Sequence, residues 1–118
     1  MPQNIVDIID RQIAAYNEQD IEKFAATYHD DLELFMFPND CFCKGKEQLI
    51  EIYGKRFSER PDAKATIATR IIMGQYVIDD ETVTGVPETG TLRLVATYEV
   101  MDGLISKVWF IYAPKIKN

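Results

Sequence analysis

LRLVATYEV (92–100) and LISKVWFIY (104–112), joined through Met101-Asp102-Gly103, decide the fold of this chain. Both runs are rich in β-branched and aromatic residues, which suit a pleated, half-buried surface. Asp102-Gly103 between them fits a two-residue hairpin whose central residues take positive φ. Upstream, KATIATRIIM (64–73), QYVI (75–78) and ETVTGV (81–86) have the same character. Gly74 and the segment Val86-Pro87-Glu88-Thr89-Gly90 punctuate them. The second half of the chain therefore reads as strands linked by hairpins. Asp79-Asp80-Glu81 is compatible with a bulge, a turn or a strand interior.

The first half has a different period. Ile5, Ile8, Ile9, Gln12, Ile13 and Tyr16 recur at three- and four-residue steps and predict a helix from about residue 4 to 18, its apolar stripe interrupted by Gln12. Asp20 is a good N-cap for a second short helix carrying Ile21, Phe24, Ala25 and Tyr28, ended by His29-Asp30-Asp31. LELFMFP (32–38) alternates as a strand, with Leu32, Leu34 and Met36 on one face, before Pro38-Asn39-Asp40 turns the chain. Gly45-Lys46-Glu47 opens a third helix with Leu49, Ile50, Ile52, Tyr53 and Phe57 on its apolar side, ending before Pro61. Early helices followed by antiparallel strands make an α+β layer architecture.

Composition narrows the function. The chain has 118 residues, 47% hydrophobic and 27% charged, which fits one ordinary domain. Its formal net charge is −6 and its 13 basic residues are scattered, so no phosphate-tracking stripe points to nucleic acid. MPQNIVDIID (1–10) places acids early, without a basic segment leading into an apolar one, and does not read as a secretion signal. No apolar run approaches the roughly 20 residues of a membrane helix. Cys41 and Cys43 would point to one face of a strand, too close for an unstrained disulfide, and read as reduced thiols of a cytoplasmic protein. The single histidine, His29, and the two cysteines make no metal-ligand cluster, and no glycine-rich phosphate loop occurs, so neither a metal nor a cofactor is expected. His29 stands near Asp30, Asp31 and Asp40 in sequence, as a candidate acid–base pair or as a helix-terminal cap. Arg70 is read either as a partner for a ligand carboxylate or as a solvated arginine on the outer sheet face.

The order of helix, short helix, YHDDLELF strand, GKEQLIEIYGKRF helix and long hairpins ending in YEVMDGLISKVWFIY resembles the SnoaL-like branch of the nuclear transport factor 2-like superfamily, over nearly the whole chain. The resemblance implies a single SnoaL-like domain over residues 1–118, with a cone-shaped curved sheet, antiparallel with a mixed pairing, wrapped around the three helices and enclosing a pocket. Members of this family include ketosteroid isomerases, polyketide cyclases and dehydratases. Ketosteroid isomerisation needs a carboxylate base and an oxyanion hole of a tyrosine and a protonated aspartate. Position by position, the resemblance puts Met36 where the base would stand, Gln12 at the oxyanion tyrosine and Ala96 at the aspartate, and keeps a supporting Tyr53. That mechanism is therefore not expected.

In the same register Leu94, Ala96, Tyr98, Val100, Val108, Phe110 and Tyr112 face inward with Gln12, Tyr16, Leu34, Met36, Tyr53 and Phe57. They imply a pocket for a small hydrophobic ligand, or simply a filled core. His29, Gln12 and Tyr53 are the candidates for chemistry, and Tyr16, Leu34, Met36, Phe57, Ala96, Tyr98, Phe110 and Tyr112 for ligand contact. Val95, Thr97, Trp109 and Ile111 share the opposite face, which predicts a homodimer through the sheet around Trp109. Three functions follow: a ligand-binding domain with isomerase- or cyclase-like chemistry, a non-enzymatic interaction module, or a hydrolase or dehydratase using His29 with a carboxylate.

Overall fold

The computed structural model describes residues 5–114; residue 4 of the expected first helix and the first four residues of MPQNIVDIID lie outside them. Three helices, α1 (Ile5–Glu18), α2 (Ile21–Ala26) and α3 (Gly45–Glu59), accompany six strands. The strands are β1 (Tyr28–Met36), β2 (Asp40–Lys44), β3 (Lys64–Met73), β4 (Tyr76–Val86), β5 (Gly90–Met101) and β6 (Leu104–Tyr112). They form one sheet in the order β2-β1-β6-β5-β4-β3. β1 runs parallel to β6, and every other neighbouring pair is antiparallel. The α+β expectation, with a mixed curved sheet beside three helices, is the architecture observed.

Local chemistry accounts for the elements. The Asp20 side chain accepts the Lys23 amide at 3.1 Å and starts α2. α2 ends at Ala26 rather than at His29-Asp30-Asp31, because β1 begins at Tyr28 and takes those three residues into the sheet. Asp102 and Gly103 have φ 54 and 79° and close the β5–β6 hairpin, with Met101 opposite Leu104. Gly85 has φ 75°, and a Cβ there would lie 2.1 Å from the Asp62 carbonyl oxygen, so only glycine fits where β4 passes that loop.

Three bulges set which side chains enter the interior. In β2 the pairing jumps from Leu34–Cys43 to Phe35–Cys41, leaving Phe42 unmatched. Cys43 is consequently buried and Cys41 exposed, a correction to the expectation that both share one face. In β6 the extra residue is Ser106, so Ile105 and Val108 both point inward. In β3 the pairing jumps between Ile67 and Thr69, which turns Arg70 onto the same face as Ala65.

The helices cover the concave face. Ile8, Ile9 and Ala15 of α1, Phe24 of α2 and Leu49, Tyr53 and Phe57 of α3 pack against Leu32, Leu34, Val77, Ala96, Tyr98 and Val108 of the sheet. Burying each large apolar side chain stabilises the fold by roughly 1.5–3 kcal/mol. Asn17 clamps α1 to β3 with two hydrogen bonds to the Ala65 backbone, at 2.7 and 3.0 Å.

Candidate functional site

Read as one strand, β4 resolves the Asp79-Asp80-Glu81 ambiguity: all three lie in strand interior, and alternation sends Val77, Asp79, Glu81 and Val83 inward. Two carboxyl groups thus enter a face that is otherwise apolar. Burying a charge without partners is costly, so each needs an explanation.

Asp79 has no solvent exposure and is gripped by Arg70, its opposite number on β3. Arg70 Nε and Nη2 donate to the two Asp79 oxygens at 2.7 and 2.9 Å, a fork-to-fork pair, while Nη1 donates to Asp10 of α1 at 2.8 Å. These two carboxylates hold the Arg70 guanidinium well above its ordinary pKa. Arg70 is therefore neither a ligand partner nor a solvated outer-face residue; the β3 bulge makes it a structural counter-ion.

Glu81 is different. It is 6% exposed, and among the described residues its hydrogen-bond donor is the Tyr98 hydroxyl, at 2.7 Å. Burial pushes its carboxyl up to about 7, against a pull downward from the Tyr98 hydrogen bond and a further push from Asp79. The pair is reached across the Ala96–Asp79 rung, since Val77 faces Tyr98 and Glu81 faces Leu94 on β5.

Glu81 and Tyr98 open onto a cavity of about 50 Å³ lined also by Gln12, Ile13, Tyr16, Tyr53, Arg56, Arg60, Ala65, Val83, Leu92, Leu94, Phe110 and Tyr112. Arg56, Arg60, Leu92 and Tyr112 continue into a wider vestibule of about 440 Å³ bordered by Met36 and Phe42. Gln12 is 7% exposed and hydrogen-bonds the Tyr28 hydroxyl through its side chain. Its Oε1 has no partner among the described residues, which leaves a buried acceptor at the cavity. Burial raises the pKa of Tyr16, Tyr53 and Tyr112, so these phenols are proton-bearing donors at neutral pH. Arg56 lies over the Tyr53 ring, 4.9 Å from its centroid.

Of the residues singled out in the sequence, Gln12, Tyr16, Tyr53, Tyr98, Phe110 and Tyr112 line this cavity, and Met36 lines the vestibule. Leu34 and Ala96 are fully buried in the core, and Phe57 packs edge-on to Tyr16 at 5.5 Å. None of these three lines the cavity. His29 sits at the start of β1, where its Nδ1 accepts the Asp31 amide at 3.2 Å, outside the cavity. Sequence reasoning passed over Glu81, Arg56 and Arg60. The first was legible had β4 been read as one strand, and the arginines follow Tyr53 at three- and four-residue steps along α3. Among the described residues no group of three or more His, Cys, Asp or Glu side chains is placed to hold a metal ion. No helix among them is long and apolar enough to cross a membrane.

A sheet curved over three helices, with a small polar-floored cavity between the layers, defines a class of protein. The SnoaL-like domain model matches residues 9–108, and the chain belongs to that family. An uncharacterised cystatin-fold protein from Novosphingobium aromaticivorans superposes with a TM-score of 0.85 at 28% identity, covering 93% of this chain and 99% of that one. A protein of ketosteroid isomerase-like fold from Catenulispora acidiphila gives 0.78 at 13% identity, covering 91% and 85%. An epoxide hydrolase from M. tuberculosis gives 0.74 at 16% identity, covering 92% and 82%. No curated protein matches the sequence.

Proposed function

We propose that this SnoaL-like chain is an enzyme that moves a proton on a small molecule, with Glu81 as the acid–base group. One observation carries the reading: a buried carboxyl in the cavity lining, with one phenol as its hydrogen-bond donor, in a setting whose burial pushes the group up to about 7. A general base is most effective when its pKa lies near the working pH. The ionised carboxylate accepts a proton from a carbon next to a carbonyl; the C–H bond breaks and its electron pair passes into an enol or enolate. The carboxyl then returns that proton at the same or another carbon, so no further reactant is needed. Tyr16, Tyr53 or Tyr112 donates to the developing oxyanion. The reaction belongs to the isomerase- and cyclase-like chemistry expected from the family, with Glu81 replacing the carboxylates absent at Met36 and Ala96.

The small volume beside Glu81 favours a small reacting part, since pockets for drug-sized ligands span roughly 300–1,000 Å³. NMR titration of the glutamate carboxyl carbons tests the reading directly. A Glu81 midpoint near 7 is expected, and a midpoint in the ordinary glutamate range removes the proposed base. In deuterated water, exchange at the carbon beside a bound ketone should fall about 100-fold or more in Glu81→Gln.

The proposal includes a cytoplasmic homodimer. Cys41 and Cys43 are free, as suits a reducing compartment. On the outer face Phe35 stacks on Trp109 at 5.5 Å and Ile111 is 47% exposed, apolar surface that a second copy would cover. Light scattering should give a dimer mass for the native chain and a monomer mass for Trp109→Ala.

A further inference from the structure

We propose that the molecule taken up by this cavity is a small carboxylate, whose anionic end is received at the rim by Arg56 with Arg60 beside it. The proposal deepens the acid–base reading of Glu81 and rests on it for the reaction, though not for the binding.

The first support is charge placement. The chain as a whole carries −6, yet the formal charges around this cavity are two guanidinium groups and the single carboxyl of Glu81. An anion is therefore repelled by the molecule at large and welcomed at this opening. The second is the pairing of the two arginines. Arg70 is matched by Asp79 and Asp10, and Arg93 by Asp80 at 2.8 Å, while Arg11 is exposed on α1, away from the cavity. Arg56 makes no ion pair among the described residues; its contacts are the rings of Tyr53 and Phe42, at 4.9 and 5.9 Å, and the Tyr112 hydroxyl. Arg60 has one long contact, 3.8 Å to the exposed Glu88.

Both arginines lie near the C-terminal end of α3 and so also offset the helix dipole. That role needs no burial, whereas Arg56 is partly buried at the junction of cavity and vestibule, where its charge acts on Tyr16, Tyr53 and Tyr112 together. A guanidinium held against aromatic faces, as Arg56 is against Tyr53 and Phe42, keeps edge N–H groups that a planar carboxylate can meet. The walls on the cavity side of it, Leu92, Leu94, Phe110 and Tyr112, suit an apolar or aromatic body. The reacting carbon then lies between Arg56 and Glu81, with the carboxylate outward and the body inward.

The test compares benzoate and phenylacetate with their neutral amides, benzamide and phenylacetamide, by calorimetry and by amide chemical-shift mapping. The native protein should bind the carboxylates at least about tenfold more tightly than the amides, with shifts centred on Phe42, Arg56 and Tyr112. Arg56→Gln should abolish the preference, and Arg56→Lys should restore part of it. Glu81→Gln should keep the preference, because the base does not hold the anion. The proposal is overturned if the amides bind as tightly as the acids, or if no carboxylate binds at about 10 mM. It is equally overturned if Arg56→Gln, folded by circular dichroism, keeps the preference. A Glu81 midpoint in the ordinary range with an Arg56-dependent preference would sink the proton-transfer reading alone. A midpoint near 7 without that preference would sink the carboxylate alone.

Discussion

Asp79 and Glu81 stand two residues apart on one face of β4, and the two ends of that face treat them in opposite ways. At one end a bidentate guanidinium matches Asp79 completely and ties β3, β4 and α1 together. At the other, Glu81 meets only a phenol and a cavity, and its carboxyl is held near 7. Residue type and burial are nearly the same, so the partner decides the role. A counter-ion makes one buried acid a fastener, and its absence leaves the next with a raised pKa, on which the proposed proton transfer rests.

Breaking the fastener should have the largest effect. Arg70→Ala leaves the Asp79 charge buried and unmatched and should cost about 3–5 kcal/mol in urea denaturation. Replacing both partners together, Arg70→Met with Asp79→Leu, should return much of that loss. If the single variant costs less than the exposed-pair range, Asp79 is not dependent on its guanidinium.

The contrast at Glu81 appears as pH dependence. Its folded pKa lies above the ordinary value of 4.5, so the protonated form is the one the fold prefers. That stabilisation is complete below the unfolded value and is lost as pH rises through about 7. From pH about 5 to 8 the native protein should lose roughly 3 kcal/mol relative to Glu81→Gln, whose stability lacks this slope. Parallel stability curves for the two proteins would remove the distinction between the carboxyls.

Tyr98→Phe should cost about 1–2 kcal/mol by stripping a hydrogen bond from a buried acid. Because that hydrogen bond lowers the Glu81 pKa, the midpoint should move further upward in the variant. The smallest effect belongs to Asp10→Asn. Its carboxylate is 59% exposed in the Arg70 contact, and the change should stay below about 1 kcal/mol at moderate salt.

How much of this was readable beforehand follows from the range of each physical cause. Periodicity, the Asp20 cap, the Gly45 helix start and the Asp102-Gly103 hairpin are local preferences, so the sequence by itself determined the order of the helices and of the strands apart from β2, which occupies the stretch between the Pro38 turn and α3 and forms by pairing with β1. Alternation also determined that Leu94, Ala96, Tyr98, Val100 and Phe110 would be buried. The inward turn of Arg70 and the opposite fates of Cys41 and Cys43 were not readable, because a bulge shifts the faces by one residue and its position is settled by pairing with a neighbouring strand. The distinction between Asp79 and Glu81 belongs to the tertiary structure for the same reason. Nothing in DDE (79–81) states which acid will find a guanidinium and which will face a cavity. That is decided by what β3, β5 and the helices bring within hydrogen-bonding reach.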